Sequence, residues 1–172
     1  TLTYGNGTRA VHSYNAAGWV TGLVNATTGG TTLTSHGYGY DSVGNPTSLV
    51  DADGARTTWS YDVLYQLRRE QRTGANGYDV TYTYDEAGNR ATKLTGGVTT
   101  TYSYDDADEL TAANAGGTRT TFTYDANGNT LTQNAAGTWT TMTWGYESEL
   151  KTVRTASGTV TMTYDGDLVR RK

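Results

Sequence analysis

Short segments of strict alternation between large apolar residues and threonine or serine recur along the chain. In TTFTYDANGNTLT, residues 120 to 132, Phe122 and Tyr124 alternate with Thr121 and Thr123, and a Tyr-Asp pair and a Gly-Asn turn signal follow. Successive residues of a β-strand point to opposite faces of a sheet. The pattern therefore predicts β-strands that have an aromatic face and a threonine face.

The alternating segments are spaced as a repeat. We call the aromatic residue that ends each segment its anchor, and the steps between successive anchors are 26, 21, 23, 20, 20, 20 and 20 residues. The anchors are Tyr14, Tyr40, Tyr61, Tyr84, Tyr104, Tyr124, Trp144 and Tyr164. A nearly fixed period of about 20 residues is typical of a repeat architecture, so residues 1–172 are predicted to form a single array of about eight units.

A turn signature follows the anchors. Asp comes directly after six of the eight anchors, at Asp41, Asp62, Asp85, Asp105, Asp125 and Asp165. A Gly-Asn dipeptide begins four residues after three of these anchors, as Gly44-Asn45, Gly88-Asn89 and Gly128-Asn129. An Asp side chain at a strand end accepts a backbone N–H two residues on, and glycine takes the positive φ of such a turn. Six dispersed copies favour a structural turn over a catalytic Tyr-Asp pair, because catalysis needs one copy with convergent partners.

Some units depart from the signature. Asn15 and Gly145 replace the Asp, and Tyr65, Asp108, Ser148 and Leu168 replace the glycine. The units without glycine must therefore either turn differently or accept a less favourable backbone conformation.

A second turn signal divides each unit into two strand-length segments. The signals are Gly29-Gly30, Asp53-Gly54, Asn76-Gly77, Gly96-Gly97, Gly116-Gly117, Ala136-Gly137 and Ser157-Gly158. Each unit is thus predicted to be an antiparallel β-hairpin whose neighbours bury its aromatic face and stack the aromatic rings into ladders. VLYQLRREQR, residues 63 to 72, also carries a weak helical spacing, although strand remains the favoured interpretation there.

Composition and charge agree with this interpretation and exclude several functions. The chain has 36 threonines, 22 glycines and one proline, which suits strands joined by turns. The net charge of -4 and the scattered Lys and Arg disfavour a nucleic-acid surface. The absence of cysteine excludes a disulfide frame and a thiolate metal site. The sequence has no run of 18 apolar residues, so it predicts no membrane span.

Candidate chemistry is sparse. His12 lies two residues before an anchor, as the aromatic-face residues do, and His36 is expected in a loop or at a strand edge. Asp51 to Gly54 is similar to the start of a calcium loop but lacks its later acidic ligands, so no metal or other cofactor is predicted. Rows of aromatic residues also form stacking platforms for sugars, which leaves a carbohydrate- or protein-binding adhesion module as the alternative to a structural role.

The quoted turn, the second glycine turn and the return to Thr-x-Tyr carry a family resemblance. The units YDSVGNPTSLVDADGARTTWSYD, YDEAGNRATKLTGGVTTTYSYD and YDANGNTLTQNAAGTWTTMTW resemble the Rhs, or YD-repeat, family. That family includes bacterial polymorphic toxins, wall-associated proteins, components of insecticidal toxin complexes and teneurins. The resemblance implies that the Tyr and Asp positions given above are a structural signature and that the protein is not an enzyme.

The resemblance also implies an architecture and partners. Family repeats form a curved, spiralling sheet that builds a hollow shell, so this chain is expected to be a segment of such a shell or an incomplete barrel. Its expected partners are further repeats or a C-terminal effector of the same polypeptide, and copies of itself through exposed strand edges. The resemblance implies a secreted or cell-surface location. Arg170, Arg171 and Lys172 are expected to block edge pairing at the C-terminal end.

Overall fold

The structure is a computed structural model that describes residues 1–167 and residue 170. Leu168, Arg171 and Lys172, for which the sequence analysis made predictions, lie outside the described residues. The chain divides into two compact units, which we call unit 1 and unit 2. Each of these contains several of the repeat units, which are single hairpins. Unit 1 comprises Thr1–Thr83 and Leu94–Gly97, and unit 2 comprises Tyr84–Lys93 and Val98–Lys172.

Unit 1 consists of short β-strands joined by tight turns. Its strands are β1 (Leu2–Thr3), β2 (Thr8–Tyr14), β3 (Val20–Thr27), β4 (Thr32–Tyr40), β5 (Pro46–Asp51), β6 (Arg56–Tyr61), β7 (Leu67–Arg72) and β8 (Tyr78–Tyr84), the last residue of which belongs to unit 2. The segment with weak helical spacing forms a turn and β7, so the favoured strand interpretation is confirmed. Strand β9 (Arg90–Thr95) contributes residues to both units.

Unit 2 continues the same pattern. Its strands are β10 (Val98–Tyr104), β11 (Leu110–Ala115), β12 (Thr118–Tyr124), β13 (Thr130–Ala135), β14 (Thr138–Trp144), β15 (Leu150–Thr155) and β16 (Gly158–Thr161). Within each unit, the strands are hydrogen-bonded in the order in which they occur along the chain. Seven of the eight anchors are the last residue of an even-numbered strand. The predicted all-β array of antiparallel hairpins is therefore confirmed.

A β-bulge recurs beside the anchors. Thr123 pairs with Thr132, whereas Tyr124 pairs with Thr130, so Leu131 is an extra residue in β13. The same shift occurs at Tyr14, Tyr40, Tyr61, Tyr104 and Trp144. A bulge disrupts the ladder locally and increases the right-handed twist of the strand pair. It also changes which backbone N–H and C=O groups can form hydrogen bonds beside these anchors.

The second turns lie close to where the sequence placed them, with two differences. In the turn between β7 and β8 the positive φ belongs to Gly74 rather than Gly77, because five residues separate the paired Arg72 and Tyr78. In the last hairpin Gly158 already pairs with Thr155, so two other residues form the turn. Loop length, which the sequence pattern leaves open, determines where the left-handed residue falls.

Burial within the described residues is limited to small side chains. The buried residues are Ala10, Ala26, Ala55, Thr57, Val80 and Ala112, and no large side chain is fully buried. Burial of this kind contributes little hydrophobic free energy per unit. The hairpins therefore depend on their neighbours for hydrogen bonds and partial burial, as expected of a repeat.

The turns at Gly116-Gly117 and Ala136-Gly137 predict opposite effects of two matched substitutions. All four residues have positive φ, as the primed hairpin turns require, with 55° at Gly116 and 49° at Ala136. Ala136→Gly should stabilise the protein by about 1 kcal/mol, and Gly116→Ala should destabilise it similarly, because a side chain disfavours the left-handed region. Urea denaturation followed by circular dichroism measures both, and equal midpoints would contradict the assigned turn geometry.

Candidate functional site

The signature turn after Tyr124 is held by one carboxylate. Asp125 Oδ1 accepts hydrogen bonds from the backbone N–H groups of Asn127 and Asn129, at 2.9 Å and 3.0 Å. The Asn129 side-chain amide donates to Asp125 Oδ2 at 3.0 Å. Two backbone bonds close the same turn, from Asp125 N to Asn129 O at 2.9 Å and from Gly128 N to Asp125 O at 3.0 Å. The carboxylate thus bonds three donors, and its role in this turn is structural.

The same carboxylate geometry recurs in other units. The residue after the anchor accepts the N–H groups two and four positions later at Asn15, Asp41, Asp62, Asp85 and Asp105. The side chain of Asp165 accepts the N–H of Asp167. Asn15 shows that an amide oxygen can perform the same task as a carboxylate.

The glycine position keeps one backbone conformation whatever its side chain. Gly128 has a φ of 80°, and the non-glycine residues Tyr65, Asp108 and Ser148 have φ values of 62°, 61° and 59°. Of the two expected alternatives, these three units accept the less favourable backbone. The cost is about 1–2 kcal/mol for each residue. The turn, and not the residue type, is what these units preserve.

The unit after Trp144 supplies its carboxylate from the other side of the turn. Gly145 has no side chain, and a Cβ built there would collide with the carboxylate of Glu149. Glu149 Oε2 accepts the N–H of Glu147 at 3.0 Å, which is the bond that Asp makes in other units. Lys151 Nζ lies 2.7 Å from Glu149 Oε1 and lowers the pKa of that carboxyl. Gly145 and Glu149 are therefore a compensated pair.

The anchors join each unit to the one before it. The Tyr124 hydroxyl donates to the carbonyl of Leu110 at 2.9 Å. Leu110 lies beyond the Ala112–Thr121 pair, at which the backbone pairing of β11 with β12 ends on the side of the anchor. The equivalent bonds are Tyr40 to Val20, Tyr61 to Pro46, Tyr104 to Arg90, Trp144 Nε1 to Thr130 and Tyr164 to Leu150, at 2.7–3.1 Å. Each acceptor lies six residues after the preceding anchor. The side chain therefore continues the connection where the backbone pairing of β11 and β12 ends.

This contact replaces much of the ring stacking that the sequence analysis predicted. The anchors stand on alternate strands, so an intervening strand separates the rings of successive units. Trp19 and Tyr40 do contact each other, with ring centroids 5.4 Å apart. Burial raises the pKa of the Tyr61, Tyr104 and Tyr124 hydroxyls, which keeps these groups protonated as donors.

The repeat has a match among known protein families. Residues 40–71 and 104–138 match the RHS repeat model, and both segments contain the anchors, turns and inter-unit bonds described above. These two segments are RHS repeats. No curated protein sequence matches the chain.

Solved structures share the fold of these RHS repeats. A TcdB2–TccC3–Cdc42 crystal structure matches 92% of this chain with a TM-score of 0.69 and 18% identity. A TcdB2–TccC3 structure without the hypervariable C-terminal region matches 92% with a TM-score of 0.70 and 17% identity. A Photorhabdus luminescens Tc holotoxin pore structure with mutated TccC3 matches 96% with a TM-score of 0.63 and 15% identity. The chain spans only 11% to 12% of the length of those chains.

The two histidines considered as candidates both lie within strands, and one of them contacts an acidic residue of the next strand. His12 lies in β2 with its ring stacked near Tyr14, at 6.4 Å between centroids. His36 lies inside β4, so the expected loop or strand-edge position is wrong. Its Nδ1 is 2.9 Å from Asp51 Oδ1, and Arg72 donates to Asp51 Oδ2 at 2.6 Å. Asp51 thus links three strands of unit 1.

The described residues contain no group of three or more His, Cys, Asp and Glu side chains arranged to hold a metal ion. No helix in the described part of the chain is long and apolar enough to cross a membrane.

The cluster at Asp51 lowers the pKa of that carboxyl, chiefly through the hydrogen bond from Arg72 and then that from His36. An ion-paired carboxylate of this kind holds strands together in the RHS array.

The anchor bond predicts a small and specific loss of stability. Tyr124→Phe removes the hydroxyl that donates to Leu110 and should lower the free energy of unfolding by about 1 kcal/mol. Tyr146→Phe is the matched control, because Tyr146 is 99% exposed and its hydroxyl makes no such contact. Urea denaturation measures both variants. Equal midpoints for Tyr124→Phe and the wild type would contradict the role of the anchor hydroxyl.

The signature carboxylate predicts a pH-dependent loss of stability. Hydrogen bonds from the side chain and then the backbone of Asn129 lower the pKa of Asp125 below its ordinary value of 3.8. Because the folded pKa is the lower one, the stabilisation is present above the unfolded pKa and is lost as the pH falls through the folded pKa. Asp125→Asn should be less stable than the wild type at neutral pH, and this difference should close in acid. A difference in urea midpoint that stays constant with pH would contradict this assignment.

Proposed function

We propose that residues 1–172 form one structural, non-enzymatic array that builds part of a β-shell. In this proposal the shell encloses or presents an effector or another domain of the same polypeptide. The observation that carries the proposal is the recurring anchor bond, in which six anchors each donate to the backbone carbonyl six residues after the preceding anchor. A wall needs such an identical joint in each unit, whereas a catalytic centre needs one distinctive copy.

The chemistry of the signature residues supports a structural role. The Asp side chains accept backbone N–H groups within their own turns, and the anchor tips donate to backbone carbonyls. These groups are engaged in holding the backbone, which leaves them poorly suited to act on a substrate. The anchor rings from Tyr40 onward are half-buried, which also weighs against a sugar platform on the aromatic face.

The proposed partners follow from the solved structures with the same fold. One of those structures is described as lacking a hypervariable C-terminal region, and another is described as a toxin pore. We infer that the array belongs to a longer polypeptide with further repeats and an effector segment, at a secreted or cell-surface location. Strands β1 and β16 stand first and last in the described strand order, which suits continuation by further strands or by a second copy.

A deletion series tests whether the unit is modular. Deleting residues 105–124 joins Tyr104 to Asp125 and restores the signature, so the shortened chain should still fold, with a lower urea m-value because less surface is exposed on unfolding. Deleting residues 105–114 removes half a unit and moves the later anchors to the opposite edge, so that chain should not unfold cooperatively. If both deletions unfold the chain, the units are not interchangeable and the wall proposal fails.

Enclosure is tested on the full encoded polypeptide by limited proteolysis. The segments next to the repeats should resist cleavage in the wild type. They should become sensitive in a Tyr104→Phe, Tyr124→Phe double variant, because two joints of the wall are weakened. A variant with Tyr146→Phe serves as the control. Equal cleavage of all three proteins would contradict enclosure by this array.

A further inference from the structure

The signature turns of successive hairpins meet along one edge of the sheet within unit 1 and within unit 2. These turns follow the anchors, which end even-numbered strands, so neighbouring turns lie two strands apart. The glycine position is four residues after the anchor. We call the next residue the closing residue, because its carbonyl accepts the backbone bond that closes the turn. At four places in the described residues, the closing residue of one hairpin lies against the glycine position of the next.

Two of these contacts are side-chain hydrogen bonds. Nδ2 of Asn89 donates to Asp108 Oδ1 at 2.7 Å, and the two residues are 19 positions apart. Nδ2 of Asn129 donates to Ser148 Oγ at 3.2 Å across the same separation. Asp108 and Ser148 both hold the left-handed backbone that glycine adopts at lower cost. The side chain that causes this strain therefore also supplies the acceptor for the preceding hairpin.

In the other two contacts, the closing residue disfavours any side chain at the following glycine position. A Cβ built on Gly44 would lie 2.9 Å from Cζ2 of Trp19, so the indole would have to move. A Cβ built on Gly128 would lie 3.2 Å from Oε1 of Glu109. Gly128→Asp would therefore bring a second carboxylate against Glu109, and like charges at this distance repel. Glycine avoids both conflicts.

A closing Asn has a second acceptor within its own turn. Asn45, whose counterpart in the next hairpin is Tyr65, donates Nδ2 to Asp41 Oδ2 at 2.9 Å. The amide of a closing Asn therefore stays bonded when the next hairpin offers it no acceptor. Specificity at this edge comes as much from the closing residues that exclude a neighbour as from those that bind one.

We propose that the closing residue of each hairpin determines which hairpin can follow it. A closing Asn favours Asp or Ser at the next glycine position, because its amide then donates from turn to turn. A closing Trp or Glu requires glycine there, because a side chain would collide or would place two carboxylates together. The partner that this edge fits is thus another RHS hairpin with the matching residue. The pairing rests on the proposed structural role and adds a rule for the order of the hairpins.

Reciprocal exchanges of two pairs test the rule on the full chain by urea denaturation. Gly128→Asp should lower the midpoint, and the loss should be smaller when Glu109→Asn is also present, since the pair then matches Asn89 and Asp108. Conversely, Asn89→Glu should cost more in the wild type than in an Asp108→Gly background, where the pair matches Glu109 and Gly128. The coupling within each pair should be about threefold or more in the unfolding equilibrium constant, as for residues in contact.

The matched control combines Asn89→Glu with Gly128→Asp. These positions belong to turns that are separated by another signature turn, so their effects should add. Circular dichroism shows whether each variant unfolds in one cooperative transition. Because the two exchanges run in opposite directions, a variant that fails to fold in one exchange leaves the other to decide.

Each result of these cycles decides the rule. Equal loss from Gly128→Asp in both backgrounds overturns it, and so does equal loss from Asn89→Glu with and without Asp108→Gly. Coupling of the same size in the control also overturns it, because the effect would then not come from contact between adjacent turns. Additive exchanges in a wild type that unfolds cooperatively would reject the rule and leave the structural role intact. A wild type that lacks a cooperative transition would reject the structural role itself.

Discussion

A side-chain hydrogen bond that crosses from one unit to the unit before it recurs at six anchors and supports the backbone pairing of the whole repeat. A single hairpin of this composition is marginal in water, because its buried side chains are small and its strands are short. The bulge at the anchor disturbs the regular ladder, and the pairing with the following strand ends nearby. A Tyr hydroxyl or Trp N–H then bonds the carbonyl beyond that point. The joint makes neighbouring units necessary to each other.

The joint and its turn preserve geometry more strictly than residue identity. Trp144 replaces a tyrosine and still presents a donor to Thr130. Glu149 supplies the carboxylate that Gly145 cannot. Tyr65 takes a left-handed conformation that glycine would adopt at lower cost. Each substitution is tolerated because the backbone needs a particular donor, acceptor or φ value, which more than one residue can provide.

The repeat combines fixed positions with variable ones. Anchors and turns hold the RHS units together, and they are engaged with the backbone. The positions five residues before the anchors carry different side chains in different units, such as Asp79 in unit 1 and Trp139 in unit 2. A repeat can change these residues without disturbing its joints, because they lie on the threonine face.

The sequence by itself determined the strand type, the number and spacing of the hairpins and the structural use of the Tyr-Asp pairs, because alternation and turn chemistry are local properties. The tertiary structure decided which atoms each anchor contacts. The acceptors Val20, Pro46, Leu110 and Thr130 share no side-chain type, since only their carbonyls are used, so no residue type marks them as acceptors in the sequence. Strand pairing also placed His36 beside Asp51. Such contacts depend on register between strands, which only the assembled sheet establishes.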